Sequence, residues 1–190
     1  MPQQQLEEKM TWGQKFNLAW AFANVHDRAL MVPFREGWGV DAIGFPSLFA
    51  FFLILLWALF SQDILMLFWL ALWVPSQLYR RWQAGRLARK GQMHSWSTGY
   101  CKGLVKFFGV RLAKKNEPLY MGAIGGLVYW FYDQLGWPQG ISYFFGLGMF
   151  TIPFCEWVNA TIWERRTRAM VNSRLDNQAM VRAYRERTGE

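Results

Sequence analysis

His26, Asp27 and Arg28 stand side by side near the start of the chain, and these are the residue types from which an acid–base dyad or a metal site is built. A metal needs further ligands, and His94 is the only other histidine. The two cysteines, Cys101 and Cys155, lie far apart with no second Cys or His at ligand spacing, so neither a zinc site nor a disulfide framework is expected. Acid–base work would also require a pocket to which nothing in the sequence points. The triplet is therefore read as a polar cluster on a helix surface, and no cofactor or metal is expected.

A second candidate is Glu156, the one ionisable residue well inside the last apolar segment, set between Pro153 and Asn159. Polar groups at membrane depth are costly and tend to be functional, so Glu156 and Asn159 form a candidate intramembrane polar site. Glu156 also lies near the end of its segment, where it could reach the interface or pair with Arg80 or Arg81. Asp133, close to the outer end of the preceding segment, is expected to face water. Asn159-Ala160-Thr161 fits the glycosylation pattern but falls at the cytoplasmic border, where it would go unused. Neither a phosphate-cradling glycine loop nor a Ser/His/Asp arrangement is present.

The elements that must position these residues follow from the distribution of apolar and charged side chains. Apolar residues concentrate in 44–60, 64–74, 119–135 and 141–160. Only Ser61-Gln62-Asp63 separates the first two segments, and Gly136 to Gly140 separates the last two; connections this short force antiparallel neighbours. The expected fold is an all-α membrane protein: four transmembrane helices in two hairpins (44–79 and 118–162), two interfacial amphipathic helices, and a cytoplasmic C-terminal helix over 163–190.

Crossing a hydrocarbon core of about 30 Å takes about 20 apolar residues, so these are short spans, and the first pair is marginal enough to be re-entrant instead. Of 21 Lys and Arg, four lie in 1–43, ten in 80–117 and seven from Arg165 onward, leaving none for the hairpin tips. Cations resist translocation, which puts both termini and the central loop in the cytoplasm. Several of the 12 tryptophans, among them Trp73, Trp82, Trp130 and Trp137, mark segment margins, where amphipathic rings settle at headgroup level. Residues 1–40 lack the basic, apolar and small-residue pattern of a cleaved leader, so the N-terminus is expected to be retained.

Amphipathic helices are predicted over 11–32, ended by Pro33, and over 95–112, each either in the membrane interface or packed on the hairpins. A helix plus hairpin thus occurs twice. Aligning the halves at an offset of 77 matches Gln62, Ile64, Phe68 and Leu70 with Gln139, Ile141, Phe145 and Leu147, which makes a parallel duplication conceivable. Gly122 and Gly126, with Gly125, Gly146 and Gly148, are candidate helix-packing positions. Arg80, Arg81, Lys102, Lys106, Arg165, Arg166 and Arg168 are candidate anchors for lipid headgroups.

The basic central loop could attract nucleic acid, but topology already demands its charge, and nucleic acid is not expected as a partner. The expected partners are the lipid bilayer and other membrane subunits or further copies of the chain. The sequence points to a non-catalytic multi-pass subunit or scaffold of an inner-membrane assembly of secretion, conjugation or envelope type. Two alternatives are a small oligomeric channel, transporter or membrane-perturbing effector built on Glu156, and a membrane-embedded enzyme centred on His26 or Glu156.

Overall fold

A capping box opens the first helix, α1 (Trp12–Met31): the Thr11 hydroxyl accepts the Gln14 N–H at 3.3 Å, and the Gln14 side chain accepts the Thr11 N–H at 2.7 Å. This is a computed structural model, and it describes residues 11–40, 43–91 and 98–188. The predicted helix over 11–32 is present, but its two halves differ. Trp12 (87% exposed), Phe16 and Phe22 lie open, whereas His26 to Met31 are buried. The C-terminal half is held by a later helix, α3 (Ile64–Arg89): Trp69 and Trp73 donate their indole N–H groups to the Ala29 and Arg28 carbonyls, each at 3.1 Å. The Ala29 carbonyl stands opposite Pro33, which has no N–H to give it, and the Arg28 carbonyl, which accepts the Val32 N–H at 3.3 Å, gains a second donor. Leu30 then packs against Met121 and the position a Cβ would occupy on Gly148.

The first hairpin pairs α2 (Pro46–Ser61) with α3 (Ile64–Arg89), and the second pairs the later part of α4 (Lys102–Leu135) with α5 (Gly140–Thr188). Gln62 turns the first tip in the left-handed region (φ 52°), and Gly136 does so at the second (φ 63°). The two tips are joined. Asp63 Oδ1 accepts the Leu65 N–H at 3.0 Å and Oδ2 accepts the Ile141 N–H at 2.8 Å, so one carboxylate caps two helices. Trp57 Nε1 donates to the Gly140 carbonyl at 2.8 Å, and a Cβ on Gly140 would collide with Ser61.

The helix predicted over 95–112 is a correction. Residues 98–101 form strand β2 (Thr98–Cys101), which pairs antiparallel with β1 (Arg35–Trp38) in the register Arg35↔Cys101, Glu36↔Tyr100 and Trp38↔Thr98. Residues 95–97 lie outside the described residues. Gly99 is the reason for the strand: its φ is +70°, and a Cβ there would lie 2.5 Å from the Glu36 carbonyl oxygen. Helix begins at Lys102 and breaks again at Gly109 (φ 72°, ψ 165°). The second half of the proposed duplication therefore lacks a counterpart of α1.

The fold is all-helical apart from this ribbon. Among the described residues one helix, the part of α5 over Gly140–Arg174, is long and apolar enough to cross a membrane. α2 is as apolar but has 16 residues. α3 and α4 are longer, but each carries its cations within the same helix, at Arg80 to Arg89 and at Lys102 to Lys115. The chain divides into a unit ending at Cys155 and a second unit from Glu156. The second unit continues α5 as helix and exposes Arg165, Arg166 and Arg168.

Candidate functional site

Large apolar side chains face outward on α2 to α5, and several charged groups lie inside beside the apolar core. Arg35, the first residue of β1, is wholly buried, as is Glu117 on α4. Nε and Nη2 of Arg35 both reach Glu117 Oε2, at 2.9 and 2.5 Å, while Nη1 reaches Asp27 Oδ2 at 3.1 Å. Glu117 Oε1 accepts the Cys101 N–H at 3.0 Å. Because Cys101 is the register partner of Arg35, Glu117 grips both members of one strand pair. The Trp38 ring lies 5.8 Å from the guanidinium carbon and covers it.

Arg28, also buried, donates to the side chain and the carbonyl of Asn24. Burial lowers its pKa, and the neighbouring Asp27 carboxylate opposes that shift. Asp27, Arg28, Arg35 and Glu117 thus form a buried set with two charges of each sign. Charges removed from water are tolerable only when neutralised and hydrogen-bonded in this way. The cluster locks α1, the ribbon and α4 together.

His26 sits beside this set with its Nδ1 2.8 Å from Thr151 Oγ1 on α5. That hydroxyl also donates to the Leu147 carbonyl at 3.3 Å. Phe22 stacks on the imidazole and Phe144 meets it edge-on at 4.7 Å. Burial pushes the His26 pKa down to about 4, with the Phe144 backbone pulling weakly the other way, so the ring is neutral at pH 7. The expectation of a surface polar cluster at His26, Asp27 and Arg28 is overturned: all three are interior, because the end of α1 inserts between the hairpins. Asp27, the carboxylate that could orient an imidazole for proton transfer, is engaged with Arg35. Among the described residues no group of three or more His, Cys, Asp or Glu could hold a metal. Cys101 and Cys155 are both buried.

The glycines behave differently from one another. A Cβ on Gly125 would lie 2.9 Å from the Gly146 nitrogen and 3.0 Å from the Ser142 carbonyl, so the α4 and α5 backbones touch there. Gly122 lies under the Met149 thioether and Gly148 under Leu30. Gly126 and Gly146 instead floor an open apolar groove of about 480 Å³, walled by Trp57, Leu147 and Phe150.

Glu156 and Asn159 are half-buried and one helical turn apart on α5. Asp133 is exposed. Among the anchor candidates, Arg80 is tied down, to Glu36 at 3.5 Å and to the Pro33 carbonyl at 3.5 Å. Lys102 lies 3.6 Å from the other Glu36 oxygen and is largely exposed. Arg81, Lys106, Arg165 and Arg166 are exposed, and Arg168 pairs with Glu164 in the next turn of helix.

Sequence reasoning did not single out Arg35, Glu117, Asp63 or Thr151. One signal was present: Glu117 is the sole acidic residue between Arg80 and Glu117 in a stretch with ten cations. No protein-family model matches the sequence, and comparison with curated proteins and with solved structures returns no match.

Proposed function

We propose that the chain is a multi-pass protein of the inner membrane, with α2 to α5 crossing the bilayer and both termini and residues 80–117 cytoplasmic. It serves there as a non-catalytic subunit of a larger membrane assembly. The observation that carries this reading is the inversion of polarity. Phe49, Phe52 and Leu56 on α2, Leu67 and Phe68 on α3, Leu127 and Phe131 on α4, and Phe150 on α5 all face outward, whereas Arg35 and Glu117 are wholly enclosed. In water an outward apolar surface of this extent drives association; in a bilayer it is the solvated face.

At 1.5 Å per residue α2 is about 24 Å long, shorter than a hydrocarbon core of about 30 Å. Packing against neighbouring subunits relieves such a mismatch, and the groove floored by Gly126 and Gly146 suits a partner helix. The interior charges neutralise one another, which favours a structural role over catalysis.

Accessibility of single cysteines tests the topology in intact cells. Positions Gln62 and Trp137, both exposed, should label from outside, and Lys90 only after permeabilisation. Labelling at Trp137 without Gln62 would mean that the first hairpin is re-entrant. For the assembly, mild-detergent purification with mass measurement should find co-purifying subunits or a homo-oligomer; a lone monomer would overturn that part.

A further inference from the structure

A second groove, of about 460 Å³, opens between the start of α2 and the middle of α3. Leu48 and Phe51 form one wall. Along α3 the lining runs from Val74 through Gln77 and Leu78 to Arg81, apolar first and cationic last.

Two features give this groove a chemical preference. Gln77 is buried with its amide orientation fixed, because Nε2 donates to the Ile43 carbonyl at 2.7 Å. Its Oε1 is shielded from solvent as well, so the amide offers the groove no open hydrogen-bonding group. Arg81, one turn farther along, is exposed and forms no ion pair among the described residues, in contrast to Arg80, which Glu36 holds. An apolar slot that ends in an exposed guanidinium matches an amphiphile with an anionic head.

We propose that this groove is a binding site for an anionic phospholipid. The phosphate pairs with Arg81, and an acyl chain lies along Leu48, Phe51 and Val74. The inference rests on the membrane placement proposed above: from the tip at Ile64, Arg81 lies about 26 Å along α3, near enough to the cytoplasmic edge of a core of about 30 Å for its long side chain to reach the headgroups.

The test uses the full chain in phosphatidylcholine nanodiscs doped with phosphatidylglycerol, with retained lipid counted by native mass spectrometry. The wild type should retain phosphatidylglycerol selectively. Arg81→Gln should weaken retention about tenfold, the loss of one charge-assisted hydrogen bond. Leu48→Trp, which fills the slot and leaves the charge in place, should weaken it comparably, whereas Arg80→Gln and Arg165→Gln should not. Wild-type retention by Arg81→Gln or by Leu48→Trp would overturn the site, as would an equal loss in Arg165→Gln, which would indicate general surface charge. A chain that integrates but retains no lipid selectively removes this site alone. A chain that fails to enter nanodiscs removes the membrane reading and the site together.

Discussion

Two junctions, one between the hairpin tips and one joining α1, the ribbon and α4, are built from opposite materials. At the tips a single carboxylate, Asp63, accepts two backbone N–H groups, each at the first turn of a helix. About 27 Å away along α4, a single guanidinium, Arg35, is enclosed by two carboxylates from distant parts of the chain. The first junction answers donors that helix ends leave open in any case. The second brings charges out of water and is tolerable only when complete. One should degrade gradually under mutation, and the other should fail abruptly.

The largest effect should come from Arg35→Met, which strands two buried carboxylates. Removing one partner of a buried ion pair costs about 3–5 kcal/mol, read here as loss of unfolding free energy in mixed micelles. A loss below about 1 kcal/mol would show that the cluster is hydrated or relaxes readily. Next, Arg35→Met combined with Glu117→Gln should cost clearly less than the two single changes added together, since each single change already breaks the same contact. Strict additivity would dissolve the idea of a coupled junction.

Asp63→Ala should cost about 1–2 kcal/mol through its two lost caps, with Asp63→Asn recovering part of it because an amide oxygen can still accept. Equal losses at Asp63 and Arg35 would erase the contrast between the junctions. At neutral pH the smallest effect is expected at His26, whose contribution emerges only on acidification. Its pKa falls from 6.5 to about 4 on folding. Between these values the unfolded chain binds the proton and the folded chain does not, so stability should decline as pH falls from about 6.5 to about 4. Subtracting the profile of His26→Asn from that of the wild type should isolate this slope; identical profiles would mean that the imidazole is solvated.

What the sequence made legible divides along the same line. Helix ends and tips are local, so the turns at 61–63 and 136–140 and the stop at Pro33 followed from neighbouring residue types. The strand at 98–101 was missed because Trp96, Tyr100, Leu104 and Phe107 suit a helical face. Gly99 and Gly109, both at positive φ, override that pattern, and glycine in a sequence does not announce its φ. Arg35 and Glu117 stand 82 positions apart, and only the ribbon between β1 and β2 brings them together. His26 to Arg28 looked superficial because a polar triplet on a helix normally is; their burial depends on where the hairpins leave room for α1.

The tryptophan contacts at the end of α1 also bear on the order of events during synthesis. The carbonyls of Arg28 and Ala29 leave the ribosome 45 and 40 residues ahead of the indoles that satisfy them, and Arg35 precedes its carboxylate on α4 by 82. α1 therefore emerges before the partners that complete it. Its C-terminal half has to wait, with its polar groups still in water, until the first hairpin has delivered Trp69 and Trp73 and the start of the second has delivered Glu117.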